Sequence, residues 1–268
     1  MQYDPIKKAI GNVVGQKVFA RTMFYRLLDL LLLRTWHVKR ELKKHASGKS
    51  QPLHVLDAGF GFGQYAYWMA KKFPNWKITG IDVKNEQVTD CNSFFAKAGI
   101  QNAVFETADL TKYNQPNTFD LIISVDVMEH IADDIAVFRN FHNSLKTGGM
   151  VLISTPSDQG GSDVHDAHHT SFIEEHVRDG YNIGDIRQKL LNAGFARTEE
   201  RYQYGKPGKL SWKLSMKYPI KILGVSKLFF VILPFYYLLV FPFCIILNYA
   251  DTRIIHKSGT GLIVKAWK

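Results

Sequence analysis

Cysteine is almost missing from this chain. Of 268 residues only Cys91 and Cys244 carry thiols. They lie far apart in helical or apolar contexts, so a disulfide framework is not expected and a reducing compartment fits. Acidic residues are scarce beside basic ones: 24 Asp and Glu stand against 34 Lys and Arg, a formal charge of +10. The resulting positive field suits nucleic acid, anionic lipid headgroups or plain solubility, and does not choose among them. Met1 to Gly15 lacks a continuous apolar region and a small-residue cleavage site, so no secretory signal is expected. No internal repeat or low-complexity tract is visible. With 46% hydrophobic content, the chain suits one α/β domain with additions around one core.

The organising stretch runs from Leu53 to Gly63, an apolar run that ends in Asp57 and opens into Gly59, Gly61 and Gly63. The pattern predicts a buried strand, a tight turn and a helix from Gln64 to Phe73. Glycines remove Cβ atoms where the backbone turns sharply and a ligand approaches, and free N–H groups at the helix start would face that ligand. Further strands are expected at Lys77–Asp82, Ala103–Asp109, Phe119–Val125, Met150–Thr155, Ala196–Tyr204 and Gly261–Trp267. The first three strands end in Asp57, Asp82 and Asp109. In an open parallel sheet those ends form the ligand crevice, so the three carboxylates are expected to converge on one ligand.

From Leu53 to about Phe195 these residues resemble the class I S-adenosylmethionine-dependent methyltransferases, particularly the branch acting on small molecules and lipid precursors. The resemblance implies a doubly wound, mostly parallel seven-stranded Rossmann-like sheet, with S-adenosylmethionine as cofactor. It places Asp57, Gly59, Gly61 and Gly63 around the methionine end, Asp82 with Val83 at the ribose and Asp109 with Leu110 at the adenine. Val125, Asp126, Glu129 and His130 fall beside the methionine end and the substrate. A nicotinamide dehydrogenase is the alternative, but its G-x-G-x-x-G spacing differs from the G-x-G-x-G found here directly after an acid. DNA is not an expected partner, because the N/D-P-P-Y/F tetrapeptide of DNA amino-methyltransferases is absent after the fourth strand.

His130 is a candidate proton acceptor from a substrate hydroxyl. Positioning alone can also carry methyl transfer, and a structural histidine at a helix start fits equally. The loop after the fifth strand holds His165, His168 and His169 with Asp163 and Asp166 within seven residues. Because it leaves the carboxyl end of a strand it lies over the crevice, so His168 and His169 join Glu129 and His130 as catalytic candidates. The spacing matches no zinc motif, and no metal is assigned. Gln16 to His45 predicts a helix with Phe19, Met23, Leu27, Leu30, Leu31, Trp36 and Leu42 broadly on one side and Arg21, Arg26, Arg34 and Lys39 among its basic positions. It either packs its apolar stripe on the domain, or serves as a cap or membrane-surface helix.

The chain divides into an N-terminal helical cap and linker (1–52), a cofactor-binding core (53–205 with 259–268) and an apolar insertion (206–258). Within the insertion, Ser211 to Ile222 fits extended structure as well as helix, and Leu228 to Leu247 carries no charge over about the length of a membrane span. Pro234 and Pro242 interrupt it, and a single crossing would put the last strand on the wrong side. Extra core is one outcome for this segment. The other is an interfacial segment, favoured by Phe229, Phe230, Phe235, Tyr236, Tyr237, Phe241 and Phe243 flanked by Lys213, Lys217, Lys221 and Lys227.

The expected function is methylation of a lipid-like or amphiphilic acceptor, quinone-type precursors included, by a peripheral or monotopic enzyme at the cytoplasmic face of a membrane. RNA or soluble small-molecule methylation and a non-catalytic cofactor-binding partner are the rivals; the sequence leaves oligomeric state open.

Overall fold

The structure, a computed structural model, describes residues 18–47, 51–160, 177–225 and 231–268. Strands β1 (His54–Ala58), β2 (Lys77–Asp82), β3 (Ala103–Thr107), β4 (Phe119–Val125), β5 (Leu145–Pro156), β6 (Arg197–Gln203) and β7 (Gly261–Trp267) form one sheet. Their order is β3-β2-β1-β4-β5-β7-β6. Only β7 runs against its neighbours. The order reverses between β1 and β4, which puts the switch-point crevice over the glycine turn that follows β1.

Strand residues alternate between two cores, as period-2 geometry requires. Val55, Ile78, Leu121, Ile123 and Leu152 meet Met69 of α3 (Gln64–Lys72) and Phe94 and Phe95 of α4 (Asn85–Lys97). Leu56, Ile122, Val151 and Ile153 meet Val137, Phe138 and Phe141 of α5 (Asp134–Ser144) and Ile186 and Leu190 of α6 (Ile183–Asn192). Asn182 caps α6 by accepting from Gly184 N and Asp185 N. Two strand boundaries differ from expectation by more than one residue. Strand β3 stops short of Asp109, and β5 begins at Leu145, with Lys146–Gly149 bulging out because Phe119 pairs with Leu145 while Leu121 pairs with Met150.

The N-terminal helix is two helices, α1 (Val18–Leu31) and α2 (Leu33–Ala46), separated by extended Leu32. This joint frees the two halves to pack differently. Helix α2 lies on the antiparallel edge, where buried Glu41 pairs with Arg201 at 3.0 Å and Lys265 at 3.3 Å. Burial works to raise this carboxyl, but the charges of Arg201 and Lys265 win and hold it below the usual carboxylate range.

The described part of the insertion is helical as far as Arg253, which removes the extended alternative for Ser211–Ile222. Helix α7 (Lys206–Trp212), a π turn (Lys213–Lys217) and α8 (Tyr218–Val225) lead out, and α9 (Leu233–Arg253) returns. The π turn ends two residues before Pro219, whose ring clashes with an ordinary helical continuation. Pro219 also lacks the N–H that would bond the Ser215 carbonyl four residues back. Tyr237 Oη donates to that carbonyl at 2.8 Å, and Tyr236 Oη donates to Leu214 O at 2.7 Å. These two tyrosines therefore bind the hairpin together through their hydroxyls. Pro234 sits in the first turn of α9, where a missing N–H costs nothing, and only Pro242 falls inside the helix.

The hairpin is not extra core. Only 11% of the most apolar part of α9 is buried, and among the described residues this is the one helix long and apolar enough to cross a bilayer. Its base is anchored through Asp251. That carboxylate accepts from Gly208 N at 2.9 Å and Tyr204 N at 3.1 Å and pairs with His37 Nε2 at 2.9 Å and His256 Nε2 at 3.1 Å.

Candidate functional site

The chain turns from β1 into α3 through Gly59 and Gly61, both at positive φ (+78° and +55°). A Cβ on Gly59 would meet Val127 Cγ2 at 2.3 Å, so glycine is required there for close packing against the segment after β4. A Cβ on Gly61 would meet nothing within 4 Å, which marks the open side of the turn. The glycine N–H groups of the turn itself are engaged inside the protein. Gly59 N donates to Ile81 O at 2.7 Å, Gly61 N to Asp82 Oδ2 at 3.2 Å and Gly63 N to Phe60 O at 2.9 Å.

The three strand-end acids do three different jobs. Asp57 is buried, and its carboxylate accepts from Ala66 N, standing in for the side-chain cap that Gly63 cannot offer α3. Burial pushes its pKa up to about 7, and Oδ2 has no protein partner. Asp82 is half-buried at the end of β2, accepts from Gly61 N and Lys84 N, and stands beside exposed Val83. Asp109 instead folds onto its own exposed turn, accepting from Thr111 N at 2.9 Å and Thr111 Oγ1 at 2.7 Å, and these bonds lower its pKa. Leu110 is buried. Asp57 and Asp82 thus flank one turn, while the Asp109 carboxylate is not brought to it.

The segment after β4 completes the site. Asp126 follows Val125 at φ +53°, a rare conformation for a residue with a Cβ, stabilised by Asp126 N donating to Ser154 O at 2.9 Å. Its carboxylate forms an ion pair with Arg34 of α2. Burial would lower the Arg34 pKa, but Asp126, with Tyr65, Tyr204 and Glu129, holds it raised. Glu129 is buried in the short 3₁₀ turn Met128–His130 and accepts from Thr155 Oγ1 at 3.0 Å. Burial first, then the Asp126 charge, push its carboxyl up to about 8. His130 ends the same turn with an exposed side chain. His165, His168 and His169 lie outside the described residues.

Sequence reasoning missed the contributions of the two N-terminal helices. Arg34 N also accepts a place in this cluster by donating to Tyr204 Oη at 3.1 Å. From α1, Arg21 Nη2 donates to Phe62 O at 2.8 Å, Tyr25 Oη donates to the same carbonyl, and Asp29 accepts from Gln64 Nε2 at 2.7 Å. In the sequence, Arg21 and Arg34 are only two of several basic helix positions, and nothing in their spacing separates them from solvated neighbours.

The residues present fit S-adenosylmethionine. The turn is open at Gly61, a half-buried carboxylate closes β2 within reach of that turn, and the unpartnered Asp57 oxygen lies beneath it. A family model described as a methyltransferase domain matches residues 49–199. Phosphoethanolamine N-methyltransferase of Triticum aestivum is 35% identical over 144 residues, covering 53% of this chain and 27% of that protein. The chain thus spans about a quarter of the length of that relative. Among solved structures, phosphoethanolamine N-methyltransferase 2 of Haemonchus contortus, in complex with phosphomonomethylethanolamine and S-adenosylhomocysteine, superposes with a TM-score of 0.61 at 22% identity. That match covers 87% of this chain and 52% of the other. The [4+2]-cyclase SpnF also superposes, with a TM-score of 0.58 at 16% identity over 88% of this chain and 81% of its own, so the fold alone does not name a reaction. The chain belongs to the methyltransferase-domain family and has the class I S-adenosylmethionine-dependent methyltransferase fold.

Proposed function

We propose that this protein transfers a methyl group from S-adenosylmethionine to the head of a small polar or amphiphilic acceptor of the phosphoethanolamine class, presented at a membrane surface. The observation that carries the reading is the Asp126–Arg34 ion pair beside the glycine turn. An acceptor bearing an amine and a phosphate can exchange with both halves of such a pair, the amine on Asp126 and the phosphate on Arg34. A neutral quinone-type ring carries no charge to exchange with either half of the pair. The matches to phosphoethanolamine N-methyltransferases support the same acceptor class.

When bound, the cofactor supplies an electrophilic methyl group on a sulfonium. Asp126 orients the acceptor nitrogen, and Glu129, neutral below about pH 8, leaves Asp126 as the site's anionic partner for it. His130 accepts the proton that the nitrogen must lose. The exposed hairpin, which leaves the carboxyl edge of the sheet after β6, supports placement at the cytoplasmic face of a membrane, with aromatic and aliphatic side chains in the acyl boundary.

The test incubates the protein with methyl-labelled S-adenosylmethionine and, separately, phosphoethanolamine, phosphatidylethanolamine vesicles and a quinone precursor. Label on either ethanolamine compound is expected. Label on the quinone alone would overturn the acceptor class, and calorimetric cofactor binding without label on any acceptor would favour a non-catalytic binding protein.

A further inference from the structure

Helix α1 has two faces with opposite chemistry. Arg21, Tyr25 and Asp29, spaced by four, hold Phe62 O and Gln64 on the glycine turn. Phe19, Met23 and Leu27 stand two positions before Arg21, Tyr25 and Asp29 in turn, which is about 200° around a helix. With Leu30 they form a stripe on the far side, and all four are exposed, Phe19 at 77%. Of the two arrangements open for this helix, the stripe on α1 takes the one that points away from the domain, while a basic and a phenolic side chain make the inward contacts.

We infer that α1 is a membrane-coupled clamp: its outer stripe enters an anionic bilayer while its inner face holds the cofactor turn, so lipid engagement and cofactor retention strengthen one another. This rests on the membrane placement proposed above. Charge selects a bilayer as the occupant. The only acid of α1, Asp29, is engaged by Gln64 and by Lys39 at 2.5 Å, whereas Arg26 is exposed beside Leu27. The outward face is thus apolar with a basic flank, the composition that suits an anionic interface.

Continuity points the same way. The α1–α2 joint abuts the base of the exposed hairpin, since a Cβ on Gly208 would lie 2.6 Å from Leu33 Cδ2. Along that hairpin Lys209 and Lys221 are exposed beside Leu210 and Ile220. One lipid surface would thus meet both helices, and ordering α1 there lowers the cost of closing its inner face on the turn. Linkage makes the effect reciprocal.

The experiment measures S-adenosylhomocysteine binding by calorimetry, with and without phosphatidylcholine vesicles containing phosphatidylglycerol, for the full chain and two variants. Wild type should bind roughly fivefold or more tightly with vesicles. Phe19→Ser with Leu27→Ser should keep the affinity measured in buffer and lose the vesicle enhancement. Phe235→Ser with Leu239→Ser, on the hairpin, should weaken vesicle flotation. Wild type that floats but binds equally with and without vesicles would overturn the clamp and leave membrane placement standing. Wild type that does not float would overturn membrane placement and the clamp with it. A wild-type dimer in sedimentation that the α1 variant dissociates would mean a second copy covers the stripe, and would overturn the bilayer assignment.

Discussion

Helices α4 and α9 bury one stripe each at helical spacing, with opposite chemistry. Helix α4 buries Val88, Cys91, Phe94 and Phe95 and turns polar residues outward. Helix α9 buries Cys244, Asn248, Asp251 and Thr252 and turns Phe235, Leu238, Leu239, Phe243 and Ile246 outward, Leu238 and Leu239 being 74% and 71% exposed. The first is held by removal of apolar surface from water. The second is held at its base by hydrogen bonds around Asp251, while its outward face is apolar and exposed. Periodicity locates a buried stripe; it does not say which chemistry fills it.

The comparison breaks most visibly at the two anchors. Asp251→Ala strands buried His37 and the N–H groups of Tyr204 and Gly208, and should cost about 3–5 kcal/mol in denaturant unfolding. Phe94→Ala should cost about 3–5 kcal/mol by leaving a cavity. A loss under about 1 kcal/mol at Asp251 would mean that other contacts seat the hairpin.

On the core side, His130→Ala should slow methyl transfer by about a hundredfold or more at saturating cofactor if the imidazole takes the proton. An unchanged rate would remove it from the chemistry. Asp82→Ala should weaken cofactor binding by about 1.5–3 kcal/mol for each charge-assisted hydrogen bond lost, in part because Gly61 N and Lys84 N lose their acceptor. Calorimetry reads this directly, and heat with NADH but none with S-adenosylhomocysteine would overturn the cofactor.

Glu129 supplies a pH test. Its folded pKa is raised, so between its ordinary 4.5 and about 8 the folded state holds a proton that the unfolded state has released. Stability from this group therefore falls as pH rises through that window. Glu129→Gln should flatten the slope, and an unchanged slope would mean Glu129 is ionised when folded. The smallest stability change is expected at the exposed face of α9: Leu239→Ser should move it by no more than about 0.5 kcal/mol while reducing vesicle flotation. A large destabilisation would instead show that this face has a partner within the protein.

The seven strands and the glycine turn were legible because each depends on local chemistry. Apolar runs specify buried strands, and glycines without Cβ atoms specify the turn. The lack of charge from Leu228 to Leu247 likewise announced an unusual segment. The hydrogen bonds of Asp109 to Thr111 were not legible, because an acid after a strand says nothing about whether its own turn will engage it.

What the sequence determined by itself was the order of the seven strands and the type of crevice, since hydrophobic period and turn chemistry act over a few residues. Only the tertiary structure decided that Arg34 would meet Asp126, that Arg21 and Tyr25 would hold Phe62, and that Asp251 would meet His37 across 214 residues. It also decided which side of α1 faces inward. Each outcome pairs polar groups distant in the chain, and no local pattern distinguishes a basic or acidic residue that will find such a partner from one that stays in water.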